Sequence, residues 1–323
     1  MSSIFSAGGR DPNGSRPDGP AAPAIPRAFS LTLDGLAEDE MFMGWGFQLT
    51  QSMQVYLSGM DVFARTFVFE ELEMLFCCTQ TPKTAVLSAG NNFRLGAAPE
   101  FPVRSGAVVA AEYIPSRDLL VTTSAKSRAV TGFRPHWVDG VVARWDRLWV
   151  SDQPEVHTPL VWSEPHRMLL SGGANGDLCY WQVSKNVPDH HVWQPTHRQP
   201  GHQHSISALM LLDAQVLASG ARDGFVALYD VQRGERRAQY MAHPEGVGTL
   251  AHCADQQLLI SAGKESYAYA WSWTEPHPRP MRLWDPHRPH RGLLVSIIAV
   301  PKAPQLITCD VLGLIKGWDL RTM

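Results

Sequence analysis

The chain has 323 residues, a formal charge of -3, and 18% charged residues beside 11 tryptophans. That length leaves ample core to bury. The near-neutral charge lacks the basic footprint of a nucleic-acid binder, and no apolar run approaches the roughly 20 residues that span a bilayer. Low charge with many aromatics suits a compact, strand-rich protein better than long solvated helices.

Met1–Pro20 contains no apolar signal region, and Asp11 and Asp18 interrupt the Arg/Ser pattern of a transit peptide. The expectation is a soluble, cytoplasmic protein. Five cysteines (Cys77, Cys78, Cys179, Cys253, Cys309) are scattered without metal-site spacing. They read as buried free thiols in a reducing compartment.

Residues 1–28 are rich in Gly, Pro, Ala and Ser. They cannot bury enough apolar surface to offset chain entropy, so a disordered tail is expected. Residues 29–69 form a lead-in with short strand candidates, among them Phe29–Leu33, Gln54–Leu57 and Thr66–Phe69, but no clean period. Its acidic cluster Glu38-Asp39-Glu40 does not make a calcium loop. Counted from Asp34, Asp39 stands where the loop needs glycine.

From about residue 70 a repeat emerges. A small hydroxyl residue is followed ten positions later by an aromatic: Thr123 by Phe133, Ser171 by Trp181, Ser219 by Tyr229, Ser261 by Trp271, and Thr308 by Trp318. The aromatics are 48, 48, 42 and 47 residues apart, close to the roughly 40–45 residues of a propeller blade. Leu72–Gly90 reads as a further, degenerate unit without its anchor aromatic. A second aromatic register, Trp145, Trp193, Tyr240 and Trp284, falls 11 to 13 residues after the first. It is expected to mark the outer strand of each blade.

These units resemble WD40 repeats over residues 70–323, which implies an all-β propeller of about six to seven four-stranded blades, several degenerate. In that family a blade is pinned by a buried set of His, Ser or Thr, Asp and Trp. The resemblance places that set at His202, Ser219, Asp223 and Tyr229, with Phe133, Trp181, Trp271 and Trp318 as anchors of other blades. Tyr229 in place of Trp is expected to rewire its set. Glu265, by its length, is not expected to reproduce the geometry of the turn Asp. In the last unit Leu312 holds the turn-Asp offset and Asp310 lies two residues early; the Ser171 unit shows no clear His. Packing, rather than the polar set, is expected to hold most blades.

The last unit ends just past its third strand. Either the lead-in, somewhere in 47–69, supplies the closing fourth strand, or further blades belong to a longer protein.

A finer resemblance is to WD-repeat proteins of cilia and flagella, particularly those that can also carry EF-hands. It rests on Leu259–Gly263 with Ala270-Trp271, Pro301–Asp310 and Gly313–Arg321. It implies a non-catalytic scaffold that binds other proteins in a cilium or flagellum, with neither nucleic acid nor membrane as partner. The alternative is a peptide-binding or substrate-receptor propeller in another cytosolic complex, such as a ubiquitin ligase. Arg or aromatic residues clustered at one channel mouth would favour it, and Arg222 and Lys264 are too few.

No cofactor or metal is expected. The His-rich stretch His190, His191, His197, His202, His204 has no paired Cys and reads as a polar inter-blade loop rather than a zinc site. Ser171–Gly176 is glycine-rich because a tight turn needs positive φ, not because it cradles phosphate. No nucleophile elbow is present, and no enzyme is expected.

Overall fold

The computed structural model describes residues 63–69, 72, 74–79, 84–88, 94–95, 108–124, 128–139, 141–151, 155–183, 191–275, 278–287, 289–300 and 303–322. The expected tail over 1–28 and the lead-in as far as residue 62 lie outside them.

The described strands form six sheets, taken in chain order. The first holds β1 (Phe63–Phe69), β2 (Met74–Thr79), β3 (Thr84–Ser88) and β4 (Arg94–Leu95). The second holds β5 (Val108–Ile114), β6 (Leu119–Ser124), β7 (Val130–Val138) and β8 (Val141–Ser151). The third holds β9 (His157–Ser163), β10 (Met168–Gly173), β11 (Asp177–Gln182) and, as its outermost strand, β13 (His197–Pro200). Between β11 and β13 the chain forms β12 (His191–Trp193). The fourth sheet holds β14 (Ile206–Leu211), β15 (Val216–Ala221), β16 (Phe225–Asp230) and β17 (Arg236–Met241). The fifth holds β18 (Val247–Cys253), β19 (Leu258–Gly263), β20 (Ala268–Ser272) and β21 (Met281–Leu283), and the sixth β22 (Leu294–Ala299), β23 (Gln305–Asp310) and β24 (Ile315–Asp319). The first strand of each sheet neighbours the first strand of the next. This is the arrangement of propeller blades.

The core lies between sheets, and strand alternation explains it. Successive side chains of a strand point to opposite faces, so a strand buried on both faces feeds two cores. Leu120 packs with Phe69 and Val108, whereas Val121 packs with Ile114 and Trp162. Leu169 and Leu170, Leu217 and Ala218, and Leu259 and Ile260 divide in the same way. β6 and β15 are buried along their whole length, and they read accordingly as runs of Leu, Val, Ala, Ser and Thr rather than as alternation.

One feature narrows the sequence expectations and one departs from them. Phe63–Phe69, the end of the lead-in, is β1, paired antiparallel with β2 as the inner strand of the first sheet. These seven residues are therefore not the fourth strand of the sixth sheet, which has three strands among the described residues; the rest of the expected range, 47–62, lies outside them. Trp193, expected on the outer strand of its own blade, lies instead on β12. That strand pairs parallel with β8 of the preceding sheet, His191 opposite Trp149 and Trp193 opposite Ser151. The second sheet thereby gains a fifth strand. Aromatic packing explains the detour: Trp193 lies 3.8 Å, centroid to centroid, from Trp149 and 5.0 Å from Trp181. Gly132 makes room for this stack, since a Cβ there would overlap the Trp149 ring.

Candidate functional site

The polar residues of the repeat gather at one end of the sheets, where the turn between the second and third strands meets the connection into the next sheet. Gly176 and Gly224 occupy such turns with φ of +93° and +88°. A side chain there would be strained and would press on the His202 and His243 carbonyls. The same turns hold the histidine backbones: His202 N–H donates to the Gly176 carbonyl at 2.9 Å, and His243 N–H to the Gly224 carbonyl at 3.1 Å. Each turn thus places the histidine of the next sheet.

In the fourth sheet His202 Nδ1 lies 3.1 Å from both Asp223 carboxylate oxygens, and its Nε2 lies 2.7 Å from Ser219 Oγ. Tyr229 donates its hydroxyl to the Gly201 carbonyl at 2.8 Å. A tyrosine hydroxyl thus anchors the chain just before His202, where the third, fifth and sixth sheets use an indole N–H on the hydroxyl residue.

The fifth sheet holds a directed chain of donors. Trp271 Nε1–H donates to Ser261 Oγ at 2.9 Å, Ser261 lies 3.0 Å from His243 Nε2, and His243 Nδ1 lies 2.9 Å from Glu265 Oε2. Glu265 therefore does take the place of the turn aspartate, contrary to the expectation from its length. The sixth sheet repeats the chain through Trp318, Thr308, His290 and Asp310, at 2.9, 2.8 and 3.1 Å. Here Asp310 reaches His290 from the end of β23, and Leu312 stays out of the set.

The third sheet has a histidine that the spacing did not reveal. His157, the first residue of β9, meets Ser171 through Nδ1 at 3.0 Å, and Trp181 Nε1–H donates to the same oxygen at 2.8 Å. It was missed because it lies 14 residues before its serine, where His243 and His290 lie 18 before theirs. No carboxylate completes this set, and His157 Nε2 is buried without a partner among the described residues. In the second sheet Thr123 Oγ1 is likewise unpartnered, and Phe133 packs in the apolar core instead. Trp181 and Trp271 are buried and Trp318 half-buried.

Burial holds His157, His202, His243 and His290 below the usual imidazole range, with His157 pushed down to about 4 and the Arg198 charge adding to its shift. Neutral imidazoles fit the geometry, each donating one N–H and accepting at the other nitrogen. His202, Ser219 and Asp223 have the bonding order of a serine-hydrolase triad. Ser219 and Ser261, however, are completely buried, so neither hydroxyl can reach a substrate. Cys179 and Cys253 are held as thiols by burial, at about 12 and 11, and are equally unsuited to act as nucleophiles. Among the described residues no group of three or more His, Cys, Asp or Glu could hold a metal.

A cleft of about 680 Å³ lies between β13 and the outer half of the fourth sheet. Its walls include Gln199, Gln203, Phe225, Arg236 and Gln239, and its floor reaches His202, Asp223 and Tyr229 of the fourth-sheet set, whose Ser219 stays fully buried. Gln199 spans it, donating its amide to the Tyr180 hydroxyl at 3.0 Å and to the Gly234 carbonyl at 2.6 Å. These groups can hold a polar chain, and they offer no nucleophile.

Residues 193–230 match the family model "WD domain, G-beta repeat". The fold is that of a WD40-type β-propeller. The matched stretch runs from β12 through the outer strand of the third sheet and three strands of the fourth, so the sequence repeat is offset from the sheet. The propeller is 24% identical over 231 residues to Cilia- and flagella-associated protein 337 B of Tetrahymena thermophila, covering 65% of this chain and 16% of that one. It is 30% identical over 112 residues to Coronin-7 of Homo sapiens, covering 33% of this chain and 12% of that one. It therefore spans less than a fifth of the length of either relative. A chain in "Crystal Structure of Mitotic Checkpoint Complex" superposes with a TM-score of 0.67 at 14% identity, covering 85% of this chain and 80% of that one. The computationally designed Ika8 protein superposes at 0.56 with 18% identity, over 77% and 68%. No helix among the described residues is long and apolar enough to cross a membrane.

Proposed function

We propose that this propeller is a non-catalytic scaffold that binds other proteins within a cilium- or flagellum-associated assembly. One observation carries the non-catalytic part: the polar sets that most resemble catalytic machinery are sealed inside the sheets, with Ser219 and Ser261 fully buried. Their polarity is accounted for as internal latches, with His202, Ser219, Asp223 and Tyr229 locking the fourth blade. The ciliary part is supported by the likeness to Cilia- and flagella-associated protein 337 B. Nucleic acid and membrane are not its partners in this reading, and the net charge of -3 suits that.

Imaging of the tagged protein in ciliated cells tests the location. Enrichment along the axoneme or at the basal body is expected, and an even cytosolic or nuclear signal overturns that part. Cross-linking in cells tests the scaffold: a reproducible set of protein neighbours is expected.

A further inference from the structure

The sixth sheet differs from its neighbours at the histidine end. In the fourth sheet the turn between the second and third strands reads Arg222-Asp223-Gly224, and in the third Ala174-Asn175-Gly176. In the sixth it reads Val311-Leu312-Gly313-Leu314, and the aliphatic side chains are 56%, 65% and 40% exposed. The displaced acid makes this arrangement stable. Asp310, at the strand end, serves His290 and also accepts the Leu312 and Leu314 N–H groups at 3.0 and 2.9 Å. The turn is thus organised from below, and its tip needs no polar residue. Solvent-exposed aliphatic side chains grouped in this way commonly mark a contact surface.

The same end of the fifth sheet carries a prepared cation. The Arg282 guanidinium carbon lies 3.8 Å from the Tyr267 ring centroid and 5.1 Å from that of Trp284. Trp284 is 44% exposed. Stacking fixes the plane of a guanidinium and leaves its N–H edge free for a carboxylate. Among the described residues no carboxylate forms an ion pair with Arg282, and the same holds for exposed Lys264 and Arg291 nearby in the chain. The neighbouring acids are already engaged: Glu265 with His243, Asp310 with His290, and Asp285 with Lys316 at 2.8 Å. That last pair ties the residue after Trp284 to β24, and so joins the cationic cluster to the aliphatic turn.

We propose that this end of the fifth and sixth blades docks a segment of a partner protein in which apolar side chains stand beside carboxylates. The carboxylate pairs with Arg282 against Tyr267 and Trp284, and the apolar side chains cover Val311, Leu312 and Leu314. This rests on the scaffold reading and names the chemistry of its partner. The occupant follows from charge complementarity: cations with no ion-pair partner among the described residues are exposed here on a chain whose overall charge is negative. Trp, Tyr and Arg are also the residues that dominate binding energy at protein interfaces.

The test uses the full chain and a display library of random short peptides. Enriched peptides are expected to combine Asp or Glu with Leu, Ile or Phe. Arg282→Gln and Leu312→Asp should each weaken binding of a selected peptide by about tenfold, with unchanged circular dichroism and melting. Arg282→Glu should instead accept the peptide whose carboxylate is replaced by lysine. Enriched peptides that lack an acid, or that ignore both variants, overturn the proposal while leaving the scaffold reading intact. No enrichment, with protein neighbours still found by cross-linking, does the same. Self-association in sedimentation that Leu312→Asp abolishes makes the occupant a second copy and also overturns it. Absence of both peptides and neighbours removes the scaffold reading itself.

Discussion

The second and fifth sheets solve the same packing problem with different chemistry. The fifth runs a chain of hydrogen bonds from Trp271 through Ser261 and His243 to Glu265. The second has no such chain among the described residues: Phe133 fills the indole position, and Thr123 Oγ1 has no partner among them. Its substitute is aromatic packing, with Trp149 fully buried under Trp193, and one extra strand on its edge. A blade therefore needs its strands fixed in register, and either directional hydrogen bonds or bulk apolar contact supplies that.

This contrast can be broken from both sides. The largest effect is expected from Trp149→Ala, which empties the apolar side of the comparison. Loss of a fully buried indole should cost about 3–5 kcal/mol, read as a collapse of the urea midpoint or as insoluble expression.

Acid should attack the polar side next. Burial holds the latch histidines below the ordinary value of 6.5, His157 at about 4. As pH falls the unfolded chain therefore takes up protons first. The stability these histidines contribute is complete above about pH 6.5 and drains away as pH falls toward their folded values. His157 alone accounts for at most about 3 kcal/mol of it. Hydrogen exchange at about pH 5 should show protection falling in β19, β20 and β23 before it falls in β5–β7.

His243→Ala should cost about 1–3 kcal/mol, because it leaves Ser261 and Glu265 buried with unmet bonds. Urea unfolding measures it, and a neutral result would mean that packing alone holds the fifth sheet. The smallest effect belongs to Thr123→Val. Its hydroxyl has no partner to lose, so the change should lie within about 0.5 kcal/mol of zero and can stabilise.

Much of this was legible in the sequence because the bonds have fixed spacing. The ten-residue step from Ser171 to Trp181, Ser261 to Trp271 and Thr308 to Trp318 is a cross-strand hydrogen bond of 2.8–2.9 Å, which two antiparallel strands and a tight turn impose. The acids and histidines were harder, since loops join them to their partners and an offset does not measure reach. Glu265 arrives by length and Asp310 from the end of a strand. His157 arrives from the first residue of β9 and through the other ring nitrogen. Trp193 was misplaced for a related reason: periodicity assigns a residue to its own repeat, and contact with Trp149 drew it into the preceding one. Of the proposed docking surface only Trp284 carries a periodic signal, in the second aromatic register; Arg282 has none, and Leu312 stands where the sixth repeat departs from the others.

The borrowed strand β12 has a mechanical consequence. Blades in a propeller ordinarily communicate through side chains, so one can loosen while its neighbour holds. Here backbone hydrogen bonds cross from the chain of the third sheet to the second at His191–Trp193. Pulling on β13 would load β12 through the main chain, and β8 through the hydrogen bonds that β12 makes to it. The two blades should yield to force as one unit, and a deletion of the third would remove the second's outermost strand.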